Sequence, residues 1–255
     1  RQSRAILGCM LALFLIGGAT SLWAEYQPNP TLNNPAVEQT APLEGKEVRF
    51  GTTATVLWSV TTTAASNGSV NGMHDSLNPL SGMVALVNMM VGEVIFGGVG
   101  AGMYGMLLNV LIAVFLAGLM IGRTPEYLGK KLQAKEVQLL VVTLLVMPIG
   151  TLVLGAIAAS LPGPAGAISN PGPHGFSQLL YAYTSASANN GSAFGGFSAN
   201  TTFHNLMMGL GMLIGRFGYI LPVLALAGSL AMKKTAPIGQ NSFPTHGPLF
   251  VTLLT

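Results

Sequence analysis

Long apolar stretches alternate with shorter polar segments along the whole chain. A helix that spans a bilayer needs about 20 mainly apolar residues, and four stretches reach or exceed that length. They lie at residues 5–24, 79–122, 137–161 and 201–232. The pattern therefore predicts an all-α polytopic membrane protein.

Two shorter apolar segments lie at residues 51–65 and 176–188. Each is too short to cross a bilayer, and non-helical backbone at membrane depth occurs only where protein or water surrounds it. Both segments are therefore predicted to be re-entrant helices. The stretch 79–122 is in addition interrupted by a glycine cluster, so a break in that span is expected. The cluster consists of Gly97, Gly98, Gly100 and Gly102.

Composition and charge support a membrane location. Half of the residues are hydrophobic and 7% are charged, whereas about 25% of a soluble domain is charged. Most of the Lys and Arg residues fall at residues 1–4, 123–135 and 233–234, and the positive-inside rule makes these segments cytoplasmic. The loops 25–50 and 161–175 then lie outside, and both re-entrant helices enter from the outside.

No group of residues has the spacing of a catalytic or metal site. Cys9 is the single cysteine, and the four histidines are scattered along the chain. The sequence contains no Ser/His/Asp, Cys/His or paired-carboxylate arrangement, so no catalytic site is expected. The segment from Gly100 to Gly105 matches G-x-G-x-x-G, but it lies in an apolar stretch with no strand before it, so nucleotide binding is not expected.

A shift of 123 residues aligns two polar loops with each other. Each loop follows a re-entrant helix and contains Asn-Gly-Ser, once at residues 67–69 and again at residues 190–192. A cation filter replaces water with backbone carbonyl oxygens, and glycine permits the dihedral angles that aim them inward. The repeat therefore predicts two filter loops, at 66–72 and 189–195. Ordinary turns are the alternative, because Asn-Gly is a common turn pair.

Three charged residues are candidates for parts of an ion path. Glu93 and Arg216 lie in apolar stretches at the same repeat position, and charges inside a membrane are costly and usually functional. Either Glu93 or the carbonyls at the filter end are the expected partners of Arg216; a structural ion pair or a helix-end charge is the alternative. Asp75 either attracts cations to the outer mouth or is a solvated loop acid.

A resemblance to a known family rests on three segments. They are TTTAASNGSVNGMHDSLNPL at residues 61–80, YTSASANNGSAFGGFSANT at 183–201 and GRTPEYLGKK at 122–131. The first two resemble the third and fourth filter regions of the KdpA family, the ion-selecting subunits of bacterial Kdp potassium-transporting ATPases. The likeness covers essentially the whole chain, which resembles the C-terminal half of a KdpA protein. The family is similar to the Trk, Ktr and HKT transporters, in which four pore units surround one path.

The resemblance implies repeated units of transmembrane helix, pore helix, filter loop and transmembrane helix, as in potassium channels. The third unit, 1–122, would contain a span at 5–24, an outer loop at 25–50, a pore helix at 51–65, a filter at 66–72 and a broken span at 79–122. The fourth unit, 137–232, would contain a span at 137–161, a pore helix at 176–188, a filter at 189–195 and a span at 201–232. A cytoplasmic loop at 123–136 would separate them, and 233–255 would form a cytoplasmic loop and the start of a truncated final span.

The resemblance also implies which residues act. Backbone oxygens of the filter would come from Ser66, Asn67, Gly68, Asn189, Asn190 and Gly191. Pore and gate residues would be Glu93, Gly97, Gly98, Gly100, Gly102 and Arg216. The transported ligand would be K⁺, with no covalent cofactor.

The implied function is that of the potassium-binding and translocating subunit of an ATP-driven uptake complex in the bacterial inner membrane. A separate P-type ATPase subunit (KdpB) would hydrolyse ATP, and small accessory subunits (KdpC and KdpF) would complete the complex. Membrane lipid is a further expected partner, and nucleic acid is not. A passive or ion-coupled potassium channel or transporter of the Trk, Ktr and HKT type is the alternative function.

Overall fold

A computed structural model describes residues 2–29, 43–98, 102–235 and 244–255. Helices make up most of this structure, and four helical stretches are long and apolar enough to cross a membrane. They are Gln2–Glu25, Gly102–Ile121, Ala134–Ser160 and Thr202–Met232. The expected all-α membrane fold is confirmed.

The described residues before position 122 form four α-helices. They are α1 (Gln2–Glu25), α2 (Gly51–Ala64), α3 (Pro79–Met90) and α4 (Gly102–Ile121), with a 3₁₀ turn at His74–Ser76. Helices α1, α2 and α3 pack against one another. Thr55 and Thr63 of α2 are buried, and their hydroxyls donate to the carbonyls four residues earlier, those of Gly51 (2.8 Å) and Ser59 (2.7 Å). These bonds let a polar helix lie inside an apolar bundle.

The break between α3 and α4 begins earlier than the glycine cluster predicts. Helix α3 ends at Met90, and the chain then turns through Gly92 (φ +91°) and Glu93 (φ +55°). Left-handed backbone ends an α-helix because it aims the next N–H groups away from the helix. Glu93 therefore lies in the break and not in a span, whereas Gly100 lies outside the described residues.

A small hairpin occupies the predicted cytoplasmic loop at 123–136. Strands β1 (Glu126–Tyr127) and β2 (Lys130–Lys131) pair in antiparallel fashion and form the only sheet in the part of the chain described here. Leu128 and Gly129 both have positive φ, +53° and +74°, the pattern of a type I′ turn.

The described residues from 134 onward form seven helices and two π-helical segments. The helices are α5 (Ala134–Pro148), α6 (Leu154–Ser160), α7 (Pro162–Ala165), α8 (Gly172–Ala188), α9 (Thr202–Leu213), α10 (Tyr219–Met232) and α11 (Pro248–Leu254). The π-helical segments, Ile149–Val153 and Ile214–Gly218, lie between α5 and α6 and between α9 and α10. Such segments are rare and often mark functional sites, and the apolar pattern did not predict them.

The main apolar core lies where α1, α4, α5, α10 and α11 meet. Its buried members include Cys9, Met106, Val110, Val114, Leu140, Leu226 and Phe250. Two smaller clusters surround α8, and one of them, formed by Ala85, Met89, Tyr181 and Phe194, joins α8 to α3. The two short helices, α2 and α8, thus pack against other helices: α2 against α1 and α3, and α8 against α3, α6 and α9.

A buried ion pair fixes the end of α1. Lys46 Nζ lies 2.9 Å from Glu25 Oε2, and the two side chains are 1% and 0% exposed. Glu25 Oε1 also accepts a hydrogen bond of 2.6 Å from the backbone N–H of Asn78, the residue before α3. The predicted outer loop at 25–50 is therefore anchored at both described ends, while its residues 30–42 lie outside the described part of the chain.

Candidate functional site

The two short helices end in the same way, and each is followed by a left-handed residue at positions 123 residues apart. Helix α2 ends at Ala64 with Ala65 as its cap, and Ser66 then has φ +57°. Helix α8 ends at Ala188, and Asn189 has φ +58°. Each left-handed residue turns the chain away from its helix, and the negative dipole end of that helix is left facing the turn.

The first loop (residues 66–72) and the second loop (residues 189–195) each contain the same two kinds of hydrogen bond. In each loop the Asn N–H donates to a carbonyl in the last turn of the helix, and the Asn Oδ1 accepts from the Ser N–H two residues later. The bonds are Asn67 to Thr62 (2.9 Å) and Ser69 to Asn67 (2.8 Å), and Asn190 to Ser185 (3.0 Å) and Ser192 to Asn190 (3.0 Å). The sequence repeat therefore reappears as a repeat of local geometry.

The two loops touch each other through their backbones. A Cβ atom added to Gly68 would lie 2.7 Å from the carbonyl oxygen of Asn190 and 2.8 Å from the carbonyl carbon of Gly191. Gly191 has φ +101°, which side chains rarely tolerate. Of the predicted filter residues, Gly68, Asn190 and Gly191 thus meet at one point, whereas the side chain of Asn67 is exposed.

Glu93 joins both loops by hydrogen bonds. Its side chain is 2% exposed, and Oε1 accepts from Asn190 Nδ2 at 2.5 Å. The Ser66 hydroxyl also hydrogen bonds to Glu93. Asn190 Nδ2 lies in addition 3.4 Å from the carbonyl of Thr62, at the end of α2. The Glu93 carboxylate therefore holds the start of the first loop and the centre of the second loop together.

Arg216 lies on the π-helical segment Ile214–Gly218. It lines a cavity together with Glu93, Asn189, Tyr104 and Tyr219. Within the residues that the structure describes, no ion pair joins Arg216 to Glu93. The two charges therefore face the same cavity without a direct ion pair, and Glu93 accepts its hydrogen bonds from Asn190 and Ser66 while Arg216 acts on it at longer range.

The described part of the glycine cluster packs against the first loop. A Cβ atom added to Gly98 would lie 2.8 Å from the carbonyl oxygen of Ala65 and 3.2 Å from Ser66 Cβ. Gly97, with φ +65°, packs backbone to backbone against Gly102. The break between α3 and α4 therefore passes directly beside the end of α2, at distances that only glycine allows.

Asp75 is hydrogen bonded and largely buried, so it is not a solvated loop acid. Its carboxylate accepts a bond of 2.8 Å from Asn170 Nδ2 and lies 2.9 Å from His174 Nε2. Asn170 and His174 lie just before and at the start of α8. Asp75 is thus a partly buried link between the segment after the first loop and the start of the second short helix.

Sequence reasoning missed the hydroxyls behind the loops. Thr62 Oγ1 donates to the Ser69 carbonyl at 2.8 Å and also to the Asn67 carbonyl. At the equivalent place, Ser185 Oγ accepts from the Gly191 N–H at 3.0 Å. The offset of 123 residues between Thr62 and Ser185 was a signal that could have found them.

Because Asn190 contacts Glu93, replacing the amide nitrogen of Asn190 with an oxygen is expected to lower the stability of the protein strongly. Asn190→Asp places two carboxylates at 2.5 Å in a buried site, and we expect it to lower the free energy of unfolding by about 3 kcal/mol. The same change at the repeat position, Asn67→Asp, keeps the bond to Ser69 in an exposed place and should cost less than about 0.5 kcal/mol. Thermal unfolding of the full-length protein in detergent measures both.

A second change tests the cause of that loss. Glu93→Gln supplies an amide donor to the new aspartate, so the pair Asn190→Asp with Glu93→Gln should recover most of the stability. Equal losses at positions 67 and 190, or no recovery in the pair, would mean that the contact with Glu93 does not determine the stability of the second loop.

The chain is similar in sequence to a family of known proteins. The family profile described as the potassium-transporting ATPase A subunit matches residues 1–255. Similar proteins named potassium-transporting ATPase potassium-binding subunit occur in Pseudomonas fluorescens strain SBW25 (97% identical), Pseudomonas aeruginosa PAO1 (80%) and Rhodospirillum centenum (57%). Each comparison covers 100% of this chain, which spans 45%, 45% and 44% of the length of these relatives. The chain therefore belongs to the KdpA family of potassium-transporting ATPase subunits.

Proposed function

We propose that the first and second loops form part of a potassium filter in the potassium-binding subunit of an ATP-driven uptake complex. The observation that carries this proposal is the backbone contact of Gly68 with Asn190 and Gly191, at the ends of two enclosed short helices. Filters need closely spaced carbonyls without intervening side chains. The names of the relatives, potassium-binding subunits of a potassium-transporting ATPase, support the choice of ion and of ATP coupling.

The carbonyls of the loops are the proposed ligands of K⁺. They belong to Ser66, Asn67, Gly68, Asn189, Asn190 and Gly191. The Asn190 carbonyl faces Gly68 in the other loop. The Asn67 carbonyl differs because it accepts a hydrogen bond from the Thr62 hydroxyl, which leaves one lone pair for an ion. A site made of neutral dipoles selects an ion by size and dehydration and does not trap it by charge.

Two loops are half of a ring of four. The relatives are more than twice as long as this chain, and we propose that the rest of the protein supplies the two missing loops. The basic segments would face the cytoplasm and the loops would open to the outside of the inner membrane. A P-type ATPase subunit (KdpB), with KdpC and KdpF, would provide ATP hydrolysis, since the sequence of this chain contains no arrangement that suggests it.

The break between α3 and α4 is the proposed gate. Gly98 lies beside Ser66, and Gly97 and Gly102 pack against each other, with little room for any side chain. Glycine-rich backbone changes conformation at low cost. Gly100 would belong to the same gate. Arg216 and Glu93 line the cavity next to it, where an approaching cation meets a fixed positive charge and a carboxylate engaged by Asn190.

Replacement of the central glycine tests the filter. Gly68→Ala adds a carbon 2.7 Å from the Asn190 carbonyl, so the two loops must separate. In the full-length protein within its complex we expect roughly tenfold weaker apparent K⁺ affinity, about 1.4 kcal/mol, and reduced preference for K⁺ over Rb⁺ and Na⁺. Gly228→Ala is the matched control, because a Cβ atom there has no neighbour within 4 Å. Unchanged affinity and ion preference in Gly68→Ala would remove the filter assignment.

Replacement of the cavity arginine tests its role below the filter. Arg216→Gln removes a positive charge that repels a cation lingering beneath the filter and favours its onward release, so we expect apparent K⁺ affinity to rise by roughly fivefold, about 1 kcal/mol, while turnover falls. Arg49→Gln is the control, since that side chain is 71% exposed and pairs with Glu47. Lower expression with wild-type affinity, turnover and ATP coupling would instead indicate a structural charge.

A further inference from the structure

A chain of buried hydrogen bonds runs behind the second loop. His74 Nδ1 lies 2.9 Å from the Tyr181 hydroxyl, which lies 2.9 Å from Ser192 Oγ. Ser192 Oγ lies 2.6 Å from Asn190 Oδ1, and Asn190 Nδ2 donates to Glu93 at 2.5 Å. All five side chains belong to buried residues. The chain begins just after the first loop, crosses α8 and ends at the carboxylate that joins the two loops.

The donors in this chain have a fixed order. Asn190 Oδ1 has no proton, so the Ser192 hydroxyl donates to it, and Tyr181 must then donate to Ser192. The Tyr181 oxygen is left to accept from a protonated Nδ1 of His74. Burial lowers the pKa of His74 to about 4, so the ring is neutral at neutral pH and the Nδ1–H tautomer satisfies the order.

The order of donors and acceptors also fixes the orientation of the Asn190 side-chain amide. Its Oδ1 accepts from both the N–H and the hydroxyl of Ser192, so its Nδ2 must face Glu93 and the Thr62 carbonyl. Any shift of Ser192 would therefore move the residue whose carbonyl faces Gly68. Tyr181 is the rigid member behind Ser192, because its ring is 0% exposed and stacks on Phe194 with centroids 4.1 Å apart.

We propose that Tyr181, held by His74, is a positioning residue that sets the ion preference of the filter by fixing Ser192 and, through it, Asn190. This inference rests on the proposed filter function. Its physical basis is that a filter built from flexible loops selects between similar ions only when its carbonyls are held at fixed spacing. Tyr181 makes no direct contact with the ion and acts through two other side chains.

The same helix provides a matched control. Tyr183 is also buried, and its hydroxyl lies 3.0 Å from His204 Nδ1. His204 Nε2 in turn lies 3.1 Å from the carbonyl of Pro164, away from both loops. Tyr183→Phe therefore removes one buried Tyr–His hydrogen bond from α8, as Tyr181→Phe does. Unlike Tyr181→Phe, it does not interrupt the series of hydrogen bonds that reaches Asn190.

The experiment measures K⁺, Rb⁺ and Na⁺ uptake by the full-length protein in its complex, with thermal unfolding as a check on folding. We expect Tyr181→Phe to lower the preference for K⁺ over Rb⁺ about fivefold, the equivalent of one hydrogen bond, and Tyr183→Phe to leave it unchanged. Ser192→Ala should match Tyr181→Phe, and Ser192→Thr, which keeps the hydroxyl, should keep the preference. If Tyr181→Phe does not fold, the positioning role is tested by the two Ser192 variants alone, through the ion preference of Ser192→Ala compared with that of Ser192→Thr.

The outcomes separate this inference from the filter itself. An altered ion preference in Gly68→Ala, together with wild-type preference in Tyr181→Phe and Ser192→Ala, would overturn the positioning role and leave the filter standing. Equal loss of preference in Tyr181→Phe and Tyr183→Phe would also overturn it, because the effect would then follow from loosening α8. Wild-type preference in Gly68→Ala would overturn both.

Discussion

The Glu93 carboxylate is the interaction on which the arrangement of the two loops depends. A buried carboxylate with 2% exposure is costly unless it accepts hydrogen bonds, and its donors come from both loops, Asn190 from one and Ser66 from the other. Neither loop is held to the other by apolar packing, because their contact is made by glycine backbones. The hydrogen bonds to Glu93 therefore determine how the loops face each other.

The left-handed backbone of the break makes this contact possible. Gly92 and Glu93 both have positive φ, which ends α3 and brings the carboxylate beneath the loops. Gly98 then passes the carbonyl of Ala65 at a distance that excludes a side chain. One strained segment thus supplies the group that joins the loops and a flexible backbone beside them. Strain of this kind persists where the surrounding structure fixes it and is common at functional sites.

The sequence predicted the helices well because long apolar stretches have few alternatives in a membrane. It also predicted where the short helices end, since the Asn-Gly-Ser loops recur at one offset. Glu93 was expected beside Arg216 because the two share a repeat position, yet its donor Asn190 is 97 residues away in the chain. Such a partner depends on how the helices pack, which no local pattern encodes.

The buried chain from His74 to Asn190 was likewise hidden from sequence reasoning, because it joins residues of three separate elements. The early end of α3 and the π-helical segments were missed for a related reason. Apart from Glu93 and Arg216, their residues are as apolar as those of the neighbouring α-helices, and hydropathy does not distinguish an α-helical turn from the wider turn of a π-helix.

The position of a bound ion tests the proposed filter most directly. Tl⁺ is a monovalent cation that can substitute for K⁺ and scatters X-rays anomalously, so crystals of the full-length protein grown with Tl⁺ would locate it. The proposed filter predicts an anomalous peak between the two loops, in contact with the carbonyl oxygens of Asn190 and of residues 66–68. A fully occupied peak elsewhere in the protein, with no density between the loops, would contradict it.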